Sequence, residues 1–179
     1  MRSVDPAASL LLLIDFQERL MPAIANGAAV LANARRLLDA ANLLGVPALL
    51  TEQNPRGLGP TVPDLAGPAA VAKTTFDACR SPEVRDRLPP RLAAVVAGCE
   101  AHVCVLQTVL GLLDEGRRIF VAADAVGSRR EESRLAALAR MERHGAEVVT
   151  TEMVIFEWLG SSEHPRFREA LALLRRGAP

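Results

Sequence analysis

The chain has one lysine, no tyrosine, one tryptophan and three cysteines among its 179 residues. Its 21 basic and 21 acidic residues cancel, leaving no formal net charge. Each shortage excludes something. Zero net charge removes the broad electrostatic case for binding nucleic acid or an anionic membrane surface. No apolar run approaches the roughly 18 residues of a membrane span. The N-terminal stretch MRSVDPAASLLLLIDFQ has an acidic residue inside it and no cleavage-site pattern. It reads as a strand, not a secretory signal. Three cysteines cannot all pair and do not form a disulfide framework. A cytoplasmic protein with reduced thiols is the expectation. The other 20 basic residues are all arginine. The exception, Lys73, hints at a place where a compact ammonium is needed instead of a planar fork.

What the chain does have is short apolar runs alternating with helical patterns. Half of its residues are hydrophobic and its mean hydropathy is +0.17. That suffices for one domain with a full core, residues 1–179. SLLLLI at 9–14 is closed by Asp15, the pattern of a strand buried on both faces. Apolar residues recur at three and four over 28–44, and Gly45 and Pro47 end that helix. A second strand over 46–50 stops at Thr51-Glu52-Gln53. The Gly- and Pro-rich stretch 54–68 is long for a loop in a compact domain and suits a pocket wall. AAVAKT at 69–74 delivers Lys73, with Phe76 close behind. Ser81, Pro82 and Glu83 open a short helix to Leu88. After the central stretch come a strand over 118–123 ending at Asp124, a helix over 128–144 and a strand over 147–150. Asp124 is given a structural role, because a helix start follows at once. Helical pieces over 153–159 and 165–176 complete the chain. No repeat or linker interrupts it. The alternation predicts a single α/β domain with a mostly parallel sheet and helices on both faces.

One stretch organises the rest: VVAGCEAHVCVLQTVLGLLDEG at 95–116. An apolar run stops at Gly98, a short elbow follows, and Cys104 opens a helical pattern. A cysteine in the first turn of a helix meets unpaired N–H groups and the positive end of the dipole. Both draw its pKa below the usual value of about 8.5. An isolated cysteine is equally a small core residue. In parallel sheets, ligands bind outside the carboxyl ends of the strands. Asp15, Lys73 and Cys104 all fall at that edge. A carboxylate, an ammonium and a thiol are thereby offered to one place. Together they supply a nucleophile, its base and a charge that steadies both. Phe16 and Phe76 flank the proposed site and would dry it, though each is most simply a core residue.

DFQ at 15–17, AKTTFD at 72–77 and GCEAHVCVLQT at 98–108 resemble the isochorismatase-like cysteine hydrolases. TEQNPRGLGPTVPDL at 51–65 and RLAALARMERHGA at 134–146 resemble the subgroup of isochorismatase domain-containing proteins. The resemblance covers nearly the whole chain. It implies a Rossmann-like, six-stranded sheet and an Asp-Lys-Cys triad of Asp15, Lys73 and Cys104. It also implies a cis peptide at Cys99-Glu100 and an oxyanion hole formed by the N–H groups of Glu100 and Cys104. Two departures bear on the substrate. Nicotinamidases of the family carry a metal site with Asp-x-His after the second strand; this chain has Thr51-Glu52-Gln53, so no metal or other cofactor is expected. Isochorismatases proper lack the cysteine, so its presence here points to thioester chemistry on a small amide-like substrate. Phe16, Glu52, Leu58, Phe76 and His102 are the candidates for the pocket wall.

Two readings compete. A thiol-redox or metal module would use Cys99, His102, Cys104 and Cys79, but C-x2-H-x-C and C-x4-C fit neither zinc nor redox spacings. A non-catalytic interaction protein that keeps the fold is the other. The expected partners are a small molecule and further copies of the chain in a homo-oligomer, with Phe156, Trp158 and Leu159 as interface candidates.

Overall fold

The computed structural model describes residues 3–89 and 92–175. Strand β1 (Ser9–Ile14) is buried along its whole length. Helix α1 (Gly27–Leu44) follows and ends at Gly45, whose φ of 73° closes it in the left-handed region that glycine tolerates. β2 (Ala48–Gln53) runs three residues past Leu50, so Thr51, Glu52 and Gln53 are strand residues and not a loop. The stretch that follows is not structureless. It holds one helical turn, α2 (Pro55–Leu58), and a 3-10 turn at Pro63–Leu65.

β3 (Val71–Lys73) is short, and α3 (Pro82–Arg85) stops before Leu88. β4 (Ala93–Cys99) leads through a single π turn at Ala101–Val105 into α4 (Leu106–Asp114). β5 (Ile119–Gly127) does not end at Asp124 but continues past it after a register shift opposite Val96 and Gly98. α5 (Glu131–Arg143), β6 (Glu147–Val149), α6 (Thr151–Leu159) and α7 (Phe167–Arg175) finish the chain. Arg176, the last residue of the expected tail helix, lies outside the described residues.

The six strands form one sheet in the order β3-β2-β1-β4-β5-β6, and every pairing is parallel. This is the Rossmann-like, single-domain α/β architecture. Alternation along each strand splits the core in two. Leu11, Leu13, Val95 and Ala97 face the layer of α1, α6 and α7. Leu10, Leu12, Ala94 and Val96 face the layer of α4 and α5. Both layers cover the sheet, which is why its central strands are apolar on both faces.

The chain builds outward from β1 to β3 and then returns to lay β4 on the other side of β1. The crevice between the carboxyl ends of β1 and β4 is therefore the switch point of the sheet, where ligands bind in such folds. Trp158 and Leu159 do not serve as exposed interface residues. Both are buried in the chain's own core, and the Trp158 indole donates to Ser9 Oγ at 3.1 Å. Met153 and Phe156 on the same helix are exposed. Among the described residues no helix is long and apolar enough to cross a membrane.

Candidate active site

Asp15 is the first residue past β1 and takes a φ of 57°, rare for a residue with a side chain. The turn is tight: the Gln17 N–H donates to the Asp15 carbonyl at 3.0 Å. Lys73 ends β3, two strands away. Neighbouring strands lie about 4.8 Å apart, so only a long side chain crosses the end of β2 to reach β1. Lys73 does so. Its Nζ lies 2.8 Å from Asp15 Oδ2, and neither side chain has any solvent exposure. A buried ion pair needs its remaining donors and acceptors satisfied. Here they are. Thr51 Oγ1 donates to Asp15 Oδ1 at 2.7 Å. Lys73 Nζ also donates to Gln53 Oε1 at 2.8 Å and to the Thr75 carbonyl at 3.4 Å.

Cys104 comes to the same point from the π turn after β4. It is buried, and the charges of Asp15 and Lys73 both act on its thiol. Burial is the largest influence on it and pushes the thiol up to about 12; Asp15 adds to this and Lys73 opposes it. The lowered pKa expected of a helix N-terminus is thus overturned. The turn's dipole does not outweigh desolvation and a neighbouring carboxylate. Cys79 is also pushed up to about 12, first by burial and then by Asp77. Cys99 goes up too, chiefly by burial.

The peptide between Cys99 and Glu100 is cis. The Glu100 carbonyl accepts from the N–H groups of Val103 and Val105 at 3.0 and 3.3 Å, which turns it into the helical segment. The Glu100 side chain is buried and accepts from the Arg129 N–H at 2.9 Å and Arg129 Nε at 3.0 Å. Burial pushes this carboxyl up, but the Arg129 bonds and charge outweigh it and hold it below its usual range. His102 Nδ1 sits 3.0 Å from Ser128 Oγ. Residues 100 and 102 are thereby fastened to the exit of β5.

The wall candidates divide. Phe16 is fully buried in the core on the α1 side. The Glu52 carboxylate does not stand open; Oε1 accepts from Thr61 N at 2.7 Å and Thr61 Oγ1 at 2.8 Å and so ties down the segment after α2. Leu58 is half-buried, and its carbonyl accepts from the Arg19 N–H at 3.0 Å. Phe76 is exposed. Asp124 has a structural role, though for a different helix than expected. Its Oδ1 accepts from the Thr151 N–H at 2.8 Å and Thr151 Oγ1 at 3.0 Å, at the start of α6. Among the described residues no group of three or more His, Cys, Asp or Glu is placed to hold a metal ion.

Thr51 and Gln53 join the site without having been candidates. A signal for them was there: two polar residues spaced by two after an apolar run share one face of a strand that continues past Leu50. Gln17 supports them from DFQ. Its Oε1 accepts from the Gln53 N–H at 2.8 Å, and its Nε2 donates to the carbonyls of Gln53 and Gly59 at 3.1 and 2.6 Å.

The model of the isochorismatase domain matches residues 9–153 of the chain. Isochorismatase domain-containing protein 2 of Pongo abelii is 43% identical over 181 residues, covering 98% of this chain and 87% of that protein. The solved structure of MAR1 ribonuclease from Caenorhabditis elegans superposes with a TM-score of 0.92 at 39% identity, covering 99% of this chain and 94% of that one. The YcaC gene product of Escherichia coli, described as an octameric hydrolase of unknown specificity, superposes at 0.86 with 26% identity, covering 97% and 88%. With the domain matched over most of its length, the chain belongs to the isochorismatase family.

Proposed function

We propose that the chain is a cysteine hydrolase that cleaves a small amide-like substrate through a thioester held on Cys104. The observation that carries this is the dry Asp15–Lys73 pair with the Cys104 thiol set against both. A protonated thiol in such a place is inert until its proton has somewhere to go. Asp15 takes that proton as sulfur attacks the acyl carbon. The carbonyl oxygen gains charge and is received by the N–H groups of Glu100 and Cys104. Asp15 returns the proton to the leaving nitrogen as the C–N bond breaks. Water then attacks the thioester, giving one proton to Asp15 and its hydroxyl to the acyl carbon. The C–S bond breaks, and Asp15 reprotonates sulfur. Lys73 compensates the carboxylate at each stage, and with both side chains shielded from bulk solvent its charge acts with little screening.

Two measurements test this together. Ammonia release from a panel of small amides is expected with the wild type and is expected to be lost in Asp15→Asn and Cys104→Ala. Alkylation of Cys104 by iodoacetamide, followed from pH 7 to 10, moves the other way in Asp15→Asn. The carboxylate raises the thiol's pKa, so removing its charge lets Cys104 react faster at a given pH. Turnover that survives Cys104→Ala, or RNA cleavage of the kind named for the nematode relative with no amide cleavage, overturns the proposal.

Self-association is the second part of the reading. Met153 and Phe156 leave apolar surface exposed on α6, and the bacterial hydrolase is described as octameric. Sedimentation of the purified chain is expected to show an assembly larger than one copy. A single monomeric species at micromolar concentration contradicts it.

A further inference from the structure

We infer that Gln53 is a positioning residue of this site: its side-chain oxygen holds the Lys73 ammonium against Asp15, and its neutrality keeps Asp15 the lysine's sole charged partner among the described residues. The inference rests on the hydrolase reading above and adds a residue to it. Gln53 lies on β2, the strand that Lys73 must cross, and is its register partner in the sheet. Its Oε1 accepts from Nζ at 2.8 Å, the same distance at which Asp15 Oδ2 does. The amide cannot turn over without loss. Its Nε2 donates to the Thr74 carbonyl at 2.8 Å, so the oxygen is the end presented to the ammonium. Its backbone is fixed as well, by the two-way bonding with the Gln17 side chain.

A carboxylate in this position would accept the same bond but add a negative charge. It would compete with Asp15 for Lys73 and repel a thiolate at Cys104. An amide supplies the acceptor without the charge. Of the lysine's donors, one then meets a carboxylate and the others meet neutral oxygens. That arrangement keeps the Asp15 carboxylate held by Lys73 and Thr51 as the proton moves.

The test is the pH profile of iodoacetamide alkylation at Cys104, read residue by residue by mass spectrometry, in Gln53→Glu, Gln53→Met, Asp15→Asn and the wild type. The buried Cys79 and Cys99 report in the same samples whether the fold is intact. Gln53→Glu is expected to slow Cys104 about tenfold at each pH between 7 and 10, equivalent to a one-unit rise in its pKa. Gln53→Met, which removes the acceptor without adding charge, is expected to slow it about threefold. A Gln53→Glu profile within twofold of the wild type overturns the inference. If that variant also exposes Cys79 and Cys99, the fold is lost and Gln53→Met decides: an unchanged Cys104 rate there overturns the inference. Should Asp15→Asn shift the profile while both Gln53 variants leave it alone, the Gln53 inference falls and the triad stands. Should Asp15→Asn be silent too, the triad reading falls with it.

Discussion

Lys73 Nζ and Asp15 Oδ2 lie 2.8 Å apart with no solvent on either side chain. Such a pair is held in place by the cost of breaking it. Removing one partner leaves an uncompensated buried charge, a loss of about 3–5 kcal/mol, whereas removing both leaves none. Lys73→Met is therefore expected to lower unfolding stability in urea by that amount. Lys73→Met combined with Asp15→Asn is expected to be more stable than Lys73→Met alone. A double variant no better than the single one shows that the two charges are not coupled.

Gly98 sits on the seam between β1 and β4, beside the crevice that holds the site. It pairs with Ile14, the residue before Asp15. A Cβ at position 98 would lie 2.5 Å from the Ile14 carbonyl oxygen and 2.7 Å from its Cβ. The first of these is backbone and has no rotamer to yield. Gly98→Ala is expected to cost about 1–3 kcal/mol by overpacking. It should also alter Cys104 alkylation, because the strain falls between Asp15 and the elbow. Thermal unfolding and alkylation on one sample measure both effects.

The sheet was legible because its signal is simple. SLLLLI at 9–14 has no polar face, and only a strand covered by helices on both sides tolerates that. The triad candidates were legible because Asp15 and Lys73 each end an apolar run and Cys104 opens the helical pattern that follows one. What escaped were residues whose role depends on where a strand stops. β2 read as ending at Leu50, which hid Thr51 and Gln53 in a presumed loop. Glu52 also binds Thr61, a contact the sequence does not show because nothing in it places Thr61 back against the end of β2. Trp158 and Leu159 were offered to a partner by composition alone, yet α6 turns them inward and leaves Met153 and Phe156 outside. The Cys104 thiol went the opposite way from expectation because local dipole arguments omit burial, and burial dominates here.

Glu52 and Thr61 fasten the segment after α2 to the end of β2 through two bonds to one carboxylate oxygen. Glu52→Ala removes that acceptor and leaves the Thr61 N–H without a side-chain partner. The expected loss is about 1–3 kcal/mol. Because the segment lies at the surface, the larger consequence is local opening. Limited proteolysis is expected to cut within residues 54–68 faster in Glu52→Ala than in the wild type, at unchanged far-UV ellipticity. Equal cutting rates in the two proteins argue that the other ties, from Gln17 and Arg19, hold the segment alone.

The buried thiols set an alkaline limit on the fold. Cys79 and Cys104 are each raised from 9.0 to about 12. A group whose folded pKa is raised keeps its proton in the native state where the unfolded chain has lost it. Its stabilisation is fully present below pH 9 and is lost as pH climbs toward 12. Each such thiol steepens the fall by as much as about 1.4 kcal/mol per pH unit inside that window. The urea midpoint is expected to be flat in this respect up to pH 8.5 and to drop between pH 9 and 11. Cys79→Ala removes one titrating group outside the site and should flatten the drop while lowering stability at neutral pH through the small cavity it leaves. If Cys79→Ala falls as steeply as the wild type, that thiol already ionises freely in the folded protein.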